Sequence, residues 1–90
     1  MKFNGAIVKV RDDYNIAIAV VGKDFLQYGL NERMQAMRQY ASAFPGIPFV
    51  VLIDHEDGSS EYFGRPDLTA QLKEIPLNYM TFKIYETQED

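Results

Sequence analysis

Asn15-Ile16-Ala17-Ile18-Ala19-Val20-Val21 is apolar on both faces of an extended chain, with Ile16, Ile18 and Val20 on one side and Ala17, Ala19 and Val21 on the other. A strand covered on one side only would show polar residues at alternate positions, so this run predicts a strand buried on both faces. Upstream, Phe3 to Val10 is also dense in Ile and Val, and Arg11-Asp12-Asp13-Tyr14 is a short polar link. The economical reading is an antiparallel hairpin. Its Ala face is shallow, so whatever covers it must pack closely.

Downstream, Gly22 to Gly29 reads as a connection of mixed character. Asn31 suits a helix N-cap, with Glu32 favourably placed in the first turn. Leu30, Met34, Met37, Ala41 and Phe44 recur at helical spacing, which predicts a helix from Glu32 to Ala43 with that stripe inward. Arg33, Gln35, Arg38, Gln39 and Ser42 fall on its other side. An earlier start at Asp24 has capping-box spacing to Gln27, but Gly29 argues against continuity.

Phe44-Pro45-Gly46-Ile47-Pro48 ends the helix, and Phe49 to Asp54 is a continuous apolar run of the central-strand kind. Asp57-Gly58 marks a turn, and Glu61 to Phe63 returns as a short strand. Pro66 suits the first turn of a second helix, with Leu68, Leu72 and Ile75 inward and Pro76 as the stop. From Tyr79 to Glu86, Met80, Phe82 and Ile84 alternate with Thr81, Lys83 and Tyr85, the pattern of a half-exposed last strand. The order β-β-α-β-β-α-β predicts one α+β domain, a mixed sheet of about five strands with two helices packed against it. If both helices cover one face, the Ala face needs a partner, and a homodimer supplies it.

Composition narrows the function. Ninety residues suit a single core, and six Phe with six Tyr give it bulk. The chain lacks cysteine, which removes disulfides, thiol chemistry and cysteine metal sites and fits a reducing, cytoplasmic location. The opening residues lack a signal-peptide core, and no run approaches the roughly 18 apolar residues of a membrane span. The net charge is −4 and the nine basic residues stand singly, so nucleic-acid binding is not expected. The acidic end from Glu86 to Asp90 reads as frayed.

Three segments carry chemistry worth weighing. Asp54-His55-Glu56-Asp57, with Glu61 beyond, joins carboxylates to the sole histidine, but adjacent turn residues diverge and the spacing fits no metal scheme. This reads as a solvated hairpin tip. Tyr62-Phe63-Gly64-Arg65-Pro66-Asp67-Leu68 places Arg65 between a strand end and a helix start, where a cation beside free N–H groups holds an anion. The plainer reading pairs Arg65 with Asp67. Six tyrosines (Tyr14, Tyr28, Tyr40, Tyr62, Tyr79 and Tyr85) line a pocket or, more economically, the edge of the core. No catalytic set, metal site or cofactor is expected. The sequence supports a non-enzymatic interaction module, homodimeric, with an unknown protein partner. The alternative is a small-ligand, anion-binding protein or minor enzyme using Tyr62, Arg65 and His55.

Two resemblances accompany this reading. Pro48 through Ile75, with Pro48 before a strand and Gly64 opening the final helix, resembles the C-terminal part of thioredoxin-like domains. The chain has no CxxC, so the resemblance implies at most a non-redox adaptor, and it expects a cis Ile47–Pro48 bond. Phe3 to Lys9 (F-N-G-A-I-V-K), F-P-G-I-P from Phe44 and Y-F-G-R-P-D-L from Tyr62 are together similar to small uncharacterised bacterial proteins of comparable length. That resemblance implies a bacterial source and no activity.

Overall fold

The structure is a computed structural model and describes residues 1–88. Five strands, β1 (Lys2–Arg11), β2 (Tyr14–Gly22), β3 (Phe49–Asp54), β4 (Ser60–Phe63) and β5 (Lys83–Glu86), form one mixed sheet in the order β4-β3-β2-β1-β5. β2 and β3 are parallel, and every other neighbouring pair is antiparallel. Helix α1 (Leu30–Ala41) lies in the crossover between β2 and β3, and α2 (Pro66–Lys73) follows β4. Parallel neighbours need such a crossover, whereas the β1–β2 and β3–β4 pairs need only turns. The expected β-β-α-β-β-α-β order is the observed one.

The hairpin turn shows the local chemistry. Asp13 adopts φ 62°, and the register slips between Lys9 and Arg11 as the two strands close. Asp tolerates that left-handed conformation better than most residues, because its short side chain is compatible with tight local geometry.

The two helices cover opposite faces. α2 sets Leu68 and Leu72 against Ile16, Ile18, Val50 and Leu52, all essentially inaccessible to solvent. The other face carries Ala17, Ala19, Val51 and Ile53. Phe3 and Phe44 fill the shallow Ala surface, with Tyr40 and Tyr85 at their margins. The Phe44 ring lies 4.7 Å from Tyr85 and 5.9 Å from Phe3, so aromatic bulk closes the gap that alanines leave. The Ala face is thus covered from within the chain, and the condition that called for a second copy there is not met.

Several details differ from expectation. α1 starts one turn's fraction earlier, with Gly29 rather than Asn31 as N-cap; the Gly29 N–H donates to the Glu32 carboxylate at 3.3 Å. Its inward residues are Arg33, Ala36, Met37, Tyr40 and Ala41, so Met37, Ala41 and the buried Phe44 of the expected stripe face inward. At the start of the helix the stripe is rotated: Leu30 is 69% exposed and Met34 45%. Tyr79 lies in a 3₁₀ turn, Leu77–Tyr79, and is 77% exposed, while β5 begins only at Lys83. Ile84 pairs with Asn4 beyond the cover of α2 and is exposed. Over its described part, the end from Glu86 is hydrogen-bonded to the body of the fold. The Thr87 N–H donates to the Met1 carbonyl at 2.9 Å and the Gln88 N–H to the Ser42 hydroxyl at 3.0 Å; Glu89 and Asp90 lie outside the described residues. Ile47–Pro48 is trans.

Candidate functional site

The residues singled out in the sequence do not converge. Tyr62 faces α2, half-buried, with its hydroxyl 3.9 Å from the Met80 sulfur, and burial raises its phenol pKa. Arg65 is the N-cap residue of α2. Its guanidinium makes a two-point contact with Asp67, Nε at 3.1 Å and the terminal nitrogen at 2.7 Å. The hydrogen bond from Arg65 holds the Asp67 carboxyl below its ordinary value. Such a forked pair satisfies the cation locally, which favours the plainer reading of this junction. His55 stands at the opposite end of the β3–β4 hairpin, 3.8 Å from the Glu61 carboxylate. In the same turn Asp57 accepts bonds from the Ser59 hydroxyl at 2.6 Å and the Ser59 N–H at 2.9 Å. The hydroxyl contact chiefly lowers the Asp57 pKa. Among the described residues no three His, Asp or Glu side chains gather as a metal site would require.

The surface that stands out is instead apolar. Met34, Met37, Phe49, Phe63, Gly64 and Arg65 line a hollow of about 410 Å³ between α1 and the end of the sheet where β4 lies. Each element contributes by its register. Phe49 and Phe63 sit on the α1 face because they pair with Ala17 and Val51, which already face α1. Gly64 gives the chain room to turn: a Cβ there would lie 2.9 Å from a Val50 methyl. On α1, Met34 and Met37 reach toward the same hollow from adjacent positions of one helical face.

Arg33 explains why Met34 is left outside while Met37 packs against the core. Its guanidinium donates from Nε to the Tyr28 carbonyl at 3.1 Å and from a terminal nitrogen to the Leu26 carbonyl at 2.6 Å. It also lies over the Phe25 and Phe63 rings at 5.9 and 5.3 Å. The helix therefore turns its arginine inward, setting the guanidinium over aromatic surface. Leu30 and Met34 stay exposed, with Leu26 and Tyr28 nearby in the chain also exposed. β4 beside them is an edge strand, and among the described residues its outer edge takes no backbone hydrogen bond from another element.

Of the groove residues, the sequence pattern puts Met34 and Met37 in the core, gives Phe49 no role beyond its strand, and singles out Phe63, Gly64 and Arg65 only as part of an anion-binding junction. The available signal was the surplus of apolar residues from Leu26 to Met37, more than one helical face can bury.

No protein-family model matches the chain, and neither a curated protein nor a solved structure matches it. No helix among the described residues is long and apolar enough to cross a membrane.

Proposed function

We propose that this protein is a non-enzymatic interaction module of the cytoplasm that docks an extended segment of a partner protein along the free edge of β4. The observation that carries this reading is the apolar groove beside β4, with Met34 exposed in its lining. An added strand satisfies the open backbone groups of an edge, and its alternate side chains fall on one face of the sheet. Here that face holds the groove, so every second side chain of the guest enters apolar surface. Met side chains suit such a role because they repack around different shapes. The lack of cysteine supports the cytoplasmic assignment. Self-association through this same surface is the form in which a homodimer fits the reading.

Selection of ten-residue peptides from a random display library, combined with native mass spectrometry, tests it. The expected ligands alternate apolar and polar residues, and Met34→Glu weakens them at least about tenfold by placing a charge on the groove wall. A dimer dissociated by Met34→Glu identifies the guest as a second copy. A monomer that selects no peptide, or peptides indifferent to Met34→Glu, overturns the proposal.

A further inference from the structure

A second hollow, of about 350 Å³, lies at the other end of the sheet, over the carboxyl end of β2 where β1 begins. β2 and β3 are the parallel pair, and ligands of open α/β sheets bind beyond the carboxyl ends of parallel strands. Four rings contribute to its lining: Phe3, Phe25, Tyr28 and Tyr40. They hold one another in edge-on and tilted contacts, Phe3 with Tyr40 at 5.1 Å and Phe25 with Tyr28 at 5.7 Å. Such mutual contacts fix the walls before any guest arrives.

The lining carries two formal charges of opposite sign, Lys2 and Asp24. Neither has an ion-pair partner within 4.0 Å among the described residues, although Lys23 next to Asp24 is already matched with Glu56 at 2.9 Å. Gly22 completes the mouth. Its φ of −84° and ψ of 175° suit any residue, and a Cβ there would meet no atom within 4 Å. The backbone does not require glycine at this point; its effect is to leave the entrance open.

We propose that this hollow binds a small zwitterion with an aromatic or apolar side chain, of which a free α-amino acid is the simplest, its carboxylate toward Lys2, its ammonium toward Asp24 and its side chain among the rings. A lone anion or a lone cation would leave one of the two charges unanswered. The Tyr40 phenol, whose pKa is raised by burial and then by Tyr28, stays protonated and adds a hydrogen-bond donor. The site is separate from the β4 groove and stands or falls independently of it.

The test is a titration of the ¹⁵N-labelled full chain with L-phenylalanine, followed by amide chemical shifts. Saturable shifts at Gly22, Asp24, Phe25 and Tyr28 are expected. N-acetyl-L-phenylalanine lacks the ammonium and L-phenylalaninamide the carboxylate, and each binds on the order of tenfold more weakly. Lys2→Met removes the discrimination against the amide, and Asp24→Asn removes that against the acetyl derivative. Gly22→Leu abolishes all three titrations while the spectrum stays dispersed. Absence of saturable shifts, equal binding of the three compounds, or shifts confined to Met34 and Phe63 overturns the proposal.

Discussion

Substituting Gly5 by Ala adds one methyl group where the sheet leaves least room for it. Gly5 sits in β1 between β2 and β5, opposite Ala19 on one side and Lys83 on the other. A Cβ there would lie 2.6 Å from the Ile18 carbonyl oxygen and 3.2 Å from both the Phe3 and Tyr85 rings. Ordinary contact begins near 3.4 Å, so the backbone of β2 must retreat by roughly 0.8 Å and the Phe3 and Tyr85 rings must also give by about 0.2 Å. Overpacking of this kind costs about 1–3 kcal/mol, and the gain from stiffening the unfolded chain offsets about 0.4–1 kcal/mol. A net loss of up to about 2.6 kcal/mol follows, centred on about 1.3 kcal/mol. Against a total of about 5–13 kcal/mol for a chain of this length, the central value lowers the melting temperature by roughly 5–10 °C.

Urea unfolding followed by circular dichroism and tyrosine emission measures the loss, since the chain has six tyrosines and no tryptophan to mask them. Gly22→Ala is the matched control. Its backbone is extended and the added Cβ meets nothing, so it leaves stability unchanged or raises it by up to about 1 kcal/mol. Equal midpoints for Gly5→Ala and the parent chain, or a control as damaging as Gly5→Ala, would refute the packing argument for this face.

Asp13→Gly relieves the left-handed strain at φ 62° and raises stability by about 0.5–1 kcal/mol, read as a shift of the urea midpoint with unchanged slope. Leu72→Ala empties a fully buried position between α2 and the sheet, and calorimetry should show a loss of about 2–5 kcal/mol. Asp67 has a carboxyl pKa lowered mainly by the hydrogen bond from Arg65, so its contribution is present above its unfolded value near 3.8 and fades as pH falls through the lower folded one. Asp67→Asn should therefore be less stable than the parent at pH 7 and indistinguishable from it well below pH 3.8, in parallel melts across that range. A deficit that persists undiminished in acid would show that the pair is not its origin.

Strand composition made most of the fold legible. The run Phe49–Asp54 has no polar interruption and forms β3 with those bounds. The two-sided apolar pattern of β2 is matched by helices on two faces, and Leu68 and Leu72 lie where α2 needs them. The assignment of each helix to a face was not legible. Both the Ile face and the Ala face are apolar, and the choice depends on how the crossover through α1 lays the chain back on the sheet. The end of the chain misled for a related reason. Met80, Phe82 and Ile84 share a period, but Met80 leaves the 3₁₀ turn into the core while Ile84 pairs beyond the reach of α2. The candidate ligand residues stand apart because nearness in sequence at a strand end does not make side chains meet: Tyr62 and Phe63 point to opposite faces, and Arg65 pairs with Asp67 two residues on, as the plainer sequence reading has it.

The groove was hidden by a competition that periodicity does not record. On α1 two neighbouring faces could have turned inward, one holding Leu30 and Met34, the other Arg33, Ala36 and Tyr40. Burial of apolar area alone favours the first by about 1.5–3 kcal/mol for each large side chain. The observed helix adopts the second, because Arg33 reaches two carbonyls of the preceding turn and sets its guanidinium over two rings. Those carbonyls, of Leu26 and Tyr28, belong to the connection that carries the chain from β2 into the crossover, so the arginine fastens that connection to the helix. Met34, displaced by this choice, lines a hollow with Phe49 and Phe63 beside the edge strand β4. Stability of the isolated domain gives no reason for that arrangement, since an exposed apolar groove beside an unpaired edge invites association. Occupation of the groove by a guest strand, as proposed, would supply the missing burial, and Met34 with its apolar neighbours is where that proposal is tested.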